Sequence, residues 1–415
     1  MNTETKSASP NVFTTLVGTK GSLFSALLIL IFVLLRFAAF YDYKPLWIDE
    51  QISVNAACGD STLNVYNFEA LKEIRFQNLK EPGFLSKVFY ANIQNDRSNA
   101  LLYDYTLSAW MHFFGLSLVS VRALSLLCFL FVLLIALGIA GELQIKPTFF
   151  MLLLLSSSLL FRYNMEARTY MFTLCLSLFS TLLLLRYMKN RSFVTLCLYL
   201  LFVLLSVFSH YLVVVVFLWQ AILVLRLKES NTKFKLLGGY LLVAIVFFSI
   251  LYLIDQKSDF VNRLSQANTT ISQKAPESVH FKPFSLQNLL TGLVQVLSQN
   301  FGLSLQSVLQ IRFFAVLLLL PAYFIYRQNK NKTLQHGMVF TTLLFTHLTF
   351  LVLVSALSGN TTVFQLCYSI FVLPYYLLYF ARLSSSPTLK PLEQTMKWSV
   401  VLISLLDTAG YIYLA

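Results

Sequence analysis

The sequence predicts an all-α integral membrane protein, and three observations carry that prediction. Hydrophobic residues make up 57% of the 415-residue chain, charged residues only 12%, and the mean hydropathy is +0.70. A soluble domain of ordinary composition is roughly a quarter charged. So much apolar surface exceeds what a core can hide, and lipid accepts the rest. The apolar residues also fall in runs of span length, and the 38 Phe and 21 Tyr suit spans and headgroup-level belts.

Judged against the hydrocarbon thickness, candidate spans cover 22–41, 101–119, 122–140, 148–161, 169–185, 192–208, 211–225, 236–254, 312–326, 336–357, 363–381 and 398–415. A polar tail, 1–21, precedes them. It lacks a small-residue cleavage site, so the first helix is expected to be retained rather than removed as a signal peptide. Residues 42–100 form a long first outer loop. In it Val65, Phe68, Leu71 and Ile74 alternate with Lys72, Glu73 and Arg75 at helical spacing, which predicts short amphipathic helices on the membrane surface. A second outer loop covers 255–311; its part 286–311 scatters Gln, Asn and Ser among apolar residues and reads as an interfacial or partly embedded helix. No internal repeat or low-complexity tract divides the chain, which reads as one membrane domain over 1–415.

The formal charge of +13 is distributed as short basic clusters between apolar runs. They are Arg186, Lys189 and Arg191; Arg226, Lys228, Lys233 and Lys235; Arg327, Lys330 and Lys332; and Arg382, Lys390 and Lys397. That is the marking of cytoplasmic loops and argues against nucleic acid as a partner. The five cysteines are scattered, mostly within apolar runs and without metal-ligand spacing, so they read as small core residues. Placing the basic clusters in the cytoplasm puts 162–168, 209–211, 255–285 and 358–362 on the outer face. Three candidate spans then separate 42–100 from 162–168 where an even number is required. Either 148–161, the shortest run, or one of its neighbours does not cross.

Four stretches hold residues able to carry chemistry. In LWIDEQISVNAA (46–57), Asp49 and Glu50 are adjacent acids at the membrane boundary beside Trp47; alone, they read equally well as a solvated helix end. An acid near lipid is costly unless it is solvated, paired or in use. In RYNMEARTY (162–170), Glu166, Arg168 and Tyr170 lie between two apolar runs, with Glu166 and Tyr170 at an i, i+4 spacing that shares a helix face. His210, in Ser209-His210-Tyr211, more readily suits a hydrogen-bonded packing residue than a catalyst. In 94–127, Asp96, Arg97 and Asn99 precede an apolar helix containing Tyr103, Asp104 and His112; Gly115 ends it and Arg122 opens the next. Asp104 is the costliest charge here if it is not solvated.

In this order the stretches resemble the polytopic GT-C glycosyltransferases, specifically the bacterial glycosyltransferase family 39-like group related to protein O-mannosyltransferases and the lipid A aminoarabinose transferase. The resemblance runs from an Asp-Glu pair after the first span, through "LLY…W…FFG.S…VR..S", "EARTY" and "HY", to "CYSIFVLP" at 367–374. It covers most of the chain, with motifs that are weak singly and specific as an ordered set. The chain departs from the pattern in two places. Relatives often have Pro-Pro-Leu or Asn-Pro-Leu where this chain has Asn99-Ala100-Leu101, and Arg-Tyr where it has Cys367-Tyr368, so an Arg that would contact a phosphate is missing from that position.

The resemblance implies a GT-C-like bundle of about 11–13 transmembrane helices, sited in a bacterial inner membrane with its active site on the outer face. There a sugar would pass from a polyprenyl-phosphate donor to a lipid, glycan or protein acceptor, with inversion. Asp49 would be the general base, with Glu50 beside it in the catalytic pair. Arg168, with Arg97 or Lys44, would steady the departing phosphate. Glu166 would orient the acceptor, pair with Arg168 or hold a divalent cation, the one cofactor left open. Tyr170, His210 and Tyr103 would line the substrate site. The rival reading is a transporter or lipid flippase, which also needs many spans and a few buried charges; it would more often show paired, broken half-helices. The chain has only 14 Gly and 10 Pro and no repeat, and its acids gather toward one face.

Overall fold

The computed structural model of the chain describes residue 31 and residues 45–62, 68–96, 99–145, 147–258, 283–300, 334–359, 361–364 and 366–383. The tail 1–21, the spans expected at 312–326 and 398–415, and that at 22–41 apart from residue 31 lie outside the described residues, as do Lys44 and Arg97.

The described residues are helical, without a β-strand. In chain order the helices are α1 (Ile48–Ala57), α2 (Phe68–Lys80), α3 (Phe84–Asp96), α4 (Leu101–Phe114), α5 (Leu118–Glu142), α6 (Pro147–Ser156), α7 (Ser158–Tyr163), α8 (Thr169–Asn190), α9 (Phe193–Ser209), α10 (Val214–Leu225), α11 (Ser230–Ser258), α12 (Leu286–Asn300), α13 (Leu334–Ser358), α14 (Leu366–Ser369) and α15 (Leu373–Leu383). Single 3₁₀ turns, Tyr211–Val213 and Thr362–Phe364, precede α10 and α14. Among the described residues four helices are long and apolar enough to cross a membrane: α5, α8, Ser230–Ile254 of α11 and Thr341–Ser358 of α13. The chain is thus a membrane protein by the length and composition of its helices.

The stretch expected as the first outer loop forms helices among its described residues, as its spacing predicts: α3 packs on α1, α2 and α4, and α1 packs on α4. The expected span 101–119 is different. Helix α4 stops after 14 residues, about 21 Å, because Gly115 turns the chain at φ +80°. Ser117 then caps α5, accepting a hydrogen bond from the Ser120 amide at 3.0 Å. The run 148–161 is also interrupted: Ser157 leaves the helix and caps α7 through its hydroxyl. The run 363–381 divides into a 3₁₀ turn, α14 and α15.

Contacts at the two ends of the bundle order its helices. Near the start of α5, Ser125 Oγ donates to the Glu166 carbonyl at 2.6 Å, just before α8 begins. At its far end Glu142 pairs with Arg186 and Lys189, near the end of α8. So α5 and α8 run parallel, and α6–α7 brings the chain back between them. Helix α9 returns it again, its Ser209 carbonyl accepting from Thr169 Oγ1 at 2.8 Å. Helices α5 and α8 approach closely at Gly138, where an added Cβ would lie 3.1 Å from Leu182. One end of the bundle therefore gathers α1, the start of α5, 162–168 and 209–213. The opposite end gathers Arg186, Lys189, Arg191 and Arg382, with Glu142 and Glu229 as counter-charges.

Candidate functional site

The acid pair of α1 sits at the first of these ends, and the helix turn divides its two members. Glu50 is fully buried. Its Oε1 accepts from Arg122 Nε at 2.9 Å and from the Ala167 amide at 2.8 Å; its Oε2 accepts from Arg122 Nη2 at 2.6 Å and the Trp47 amide at 3.3 Å. Asp49 points elsewhere. Its side chain is 37% exposed, with Oδ2 at 3.8 Å from Arg168 Nη2. Arg168 is held from below, its Nη1 donating to the Asp49 carbonyl at 2.8 Å and to Ser53 Oγ at 3.2 Å.

Glu166 stands on the turn between α7 and α8, only 7% exposed. Arg162, one helical turn earlier, donates to its Oε1 at 2.9 Å; Oε2 is buried with no hydrogen-bond partner among the described residues. Burial pushes the Glu166 carboxyl up to about 7, against the pull of Arg162 and with a smaller push from Glu50. Arg162 also lies over the Trp47 ring, 5.6 Å from its centroid, and over the Tyr163 ring at 5.4 Å.

The remaining expected residues form the wall of this site or lie behind it. Tyr170 stacks in an aromatic cluster with Tyr163, His210 and Phe371, its hydroxyl 3.4 Å from Arg168 Nη2. His210 caps the 3₁₀ turn, its Nδ1 accepting from the Leu212 amide at 3.2 Å, which places the ring proton on Nε2. Burial and then the charge of Arg168 push its pKa down to about 3, so the ring is neutral. Tyr368 packs 5.8 Å from His210. Tyr103 is fully buried against Phe172. Asp104 is not solvated but 2% exposed, accepting from Asn92 Nδ2 at 2.7 Å.

Sequence reasoning missed Arg122 and Arg162 as members of the site. Their signal was present, because an Arg in the first turns of a long apolar helix and an Arg four residues before a Glu each call for an acid partner. The reach from Arg122 to Glu50, 72 residues away in the chain, needed the fold.

Among the described residues no three His, Cys, Asp or Glu side chains gather as a metal site. Asp49, Glu50 and Glu166 each lean on a guanidinium where a cation would have to stand, so this donor set does not fit a divalent ion. No protein-family model, curated protein or solved structure matches the chain.

Proposed function

We propose that the chain is a multi-pass, GT-C-type glycosyltransferase of a bacterial inner membrane. It moves a sugar from a polyprenyl-phosphate donor to a lipid, glycan or protein acceptor on the outer face. The observation that carries this reading is Asp49: a partly exposed carboxylate 3.8 Å from a guanidinium, at the bundle end opposite Arg186, Lys189, Arg191 and Arg382. Asp49 takes the proton of the acceptor hydroxyl as its oxygen attacks the anomeric carbon. The bond from that carbon to the phosphate oxygen breaks, and the pair of electrons leaves on the polyprenyl phosphate, whose charge Arg168 steadies. A site at helix ends lets the donor's lipid tail stay in the bilayer.

Against a transport pathway stands the distribution of charge. The Asp49, Glu50 and Glu166 pairs all sit at one end, whereas α8, α9, α10 and α15 meet through the uncharged chain Thr181, Tyr375, Gln220 and Tyr199. The test is product formation by purified protein from a labelled polyprenyl-phosphate hexose. Asp49→Asn keeps the size and most hydrogen bonding of the side chain but not its basicity, so turnover should fall roughly a hundred- to ten-thousand-fold while the protein stays folded. Near-normal turnover in both Asp49→Asn and Glu50→Gln would sink the reading.

A further inference from the structure

We infer that Arg122 is a positioning residue, which through Glu50 fixes the register in which Asp49 faces Arg168. The inference deepens the transferase reading, and one arm of its test is independent of that reading.

Glu50 ties three segments together with one carboxylate. Arg122 reaches it from α5 with a two-pronged fork, 2.9 Å to one oxygen and 2.6 Å to the other. The Ala167 amide reaches it from the turn before α8, and the Trp47 amide from the start of α1. The next residue returns the link, because Arg168 donates to the Asp49 carbonyl and to Ser53 Oγ. The first turn of α1 and the turn 166–168 are thus stitched twice, and Asp49 lies between the stitches. Its 3.8 Å approach to Arg168 is the geometric result.

The fork is anchored on firm ground. Arg122 leaves the second turn of a 25-residue helix whose start is capped by Ser117. Its side chain is 12% exposed and that of Glu50 1% exposed, so neither end is held loosely by water. A carboxylate buried this deeply without its guanidinium would be left charged among neutral donors, a state the chain escapes by moving the acid or protonating it. Either change releases the first turn of α1. Lysine would return the charge as a point but could not bind both oxygens in one plane.

The test uses the full-length protein in detergent or nanodiscs, with Arg122→Lys as the first variant. Hydrogen exchange should quicken about tenfold or more at the Ala167 amide and over 47–53, with the middle of α8 and α9 unchanged. In transfer from a labelled polyprenyl-phosphate hexose, kcat should fall about 10- to 100-fold with KM within about twofold, because misplacing a base costs rate rather than binding. Where Arg122→Lys does not accumulate, Glu50→Gln with Arg122→Gln removes both charges together, and its rate should be no lower than that of the slower single variant. Unchanged exchange at Ala167, or losses that multiply in the double variant, would overturn the role given to Arg122. Should the parent protein release no polyprenyl phosphate, the transferase reading fails and the exchange result alone decides the role of Arg122.

Discussion

Glu166 and His210 face the same problem of burial and answer it in opposite directions. The raised pKa of Glu166, about 7 against an ordinary 4.5, means the folded chain keeps a proton that the unfolded chain releases between those values. Its contribution to stability is full below pH 4.5 and is lost as pH rises through 7, an effect on the order of 3 kcal/mol. His210, pushed down to about 3 from 6.5, contributes stability above pH 6.5 that is lost as pH falls toward 3. In the shared window, 4.5 to 6.5, the two slopes oppose. In thermal unfolding in detergent, Glu166→Gln should therefore lose more stability than the parent protein on acidification across that window, and His210→Asn should lose less. Two variants that both follow the parent's curve would contradict this assignment of charge states. The types of these residues were legible in the sequence and their states were not. Glu166 and Arg168 look like a neighbouring pair on paper, yet Glu166 takes Arg162 while Arg168 turns to Asp49 and Ser53.

Among the helices, small residues decide which faces close. In α11 the adjacent glycines Gly238 and Gly239 have opposite surroundings. A Cβ at Gly239 would come within 2.7 Å of Leu200 on α9, whereas one at Gly238 would meet nothing within 4 Å. Gly239→Val should therefore lower the unfolding temperature, at a cost of about 1–3 kcal/mol for forced repacking. Gly238→Ala should be neutral or slightly stabilising, since alanine favours a helix by up to about 1 kcal/mol over glycine. Equal effects of the two substitutions would mean that α9 and α11 do not approach as described. Span-length hydrophobicity found α5, α8, α11 and α13, because each holds an unbroken apolar window of span length within one continuous helix. It did not see that 101–119, 148–161 and 363–381 are each broken by a turn, which composition alone hides. Gly115, Ser157 and the 3₁₀ turn at Thr362–Phe364 break these runs without interrupting their hydropathy.

At the scale of the whole molecule, the short α4 bears on the expected count of crossings. With α4 at the Asp49 end, α5 and the α6–α7 return are the described helices between the expected first outer loop and 162–168, an even number. Among the described residues Arg186, Lys189, Arg191 and Arg382 share the opposite end, with Glu142 and Glu229 pairing to the first three. The central claim is that, on the proposed function, one end of the bundle transfers sugar, and that end faces away from the cytoplasm. It is tested most directly in sealed membrane vesicles of known orientation, supplied from outside with a labelled short-chain polyprenyl-phosphate hexose that does not cross the bilayer. Right-side-out vesicles should release polyprenyl phosphate and inside-out vesicles should not, with the signal lost in Asp49→Asn. Release from inside-out vesicles alone, or equal release from Asp49→Asn and the parent, would contradict the account.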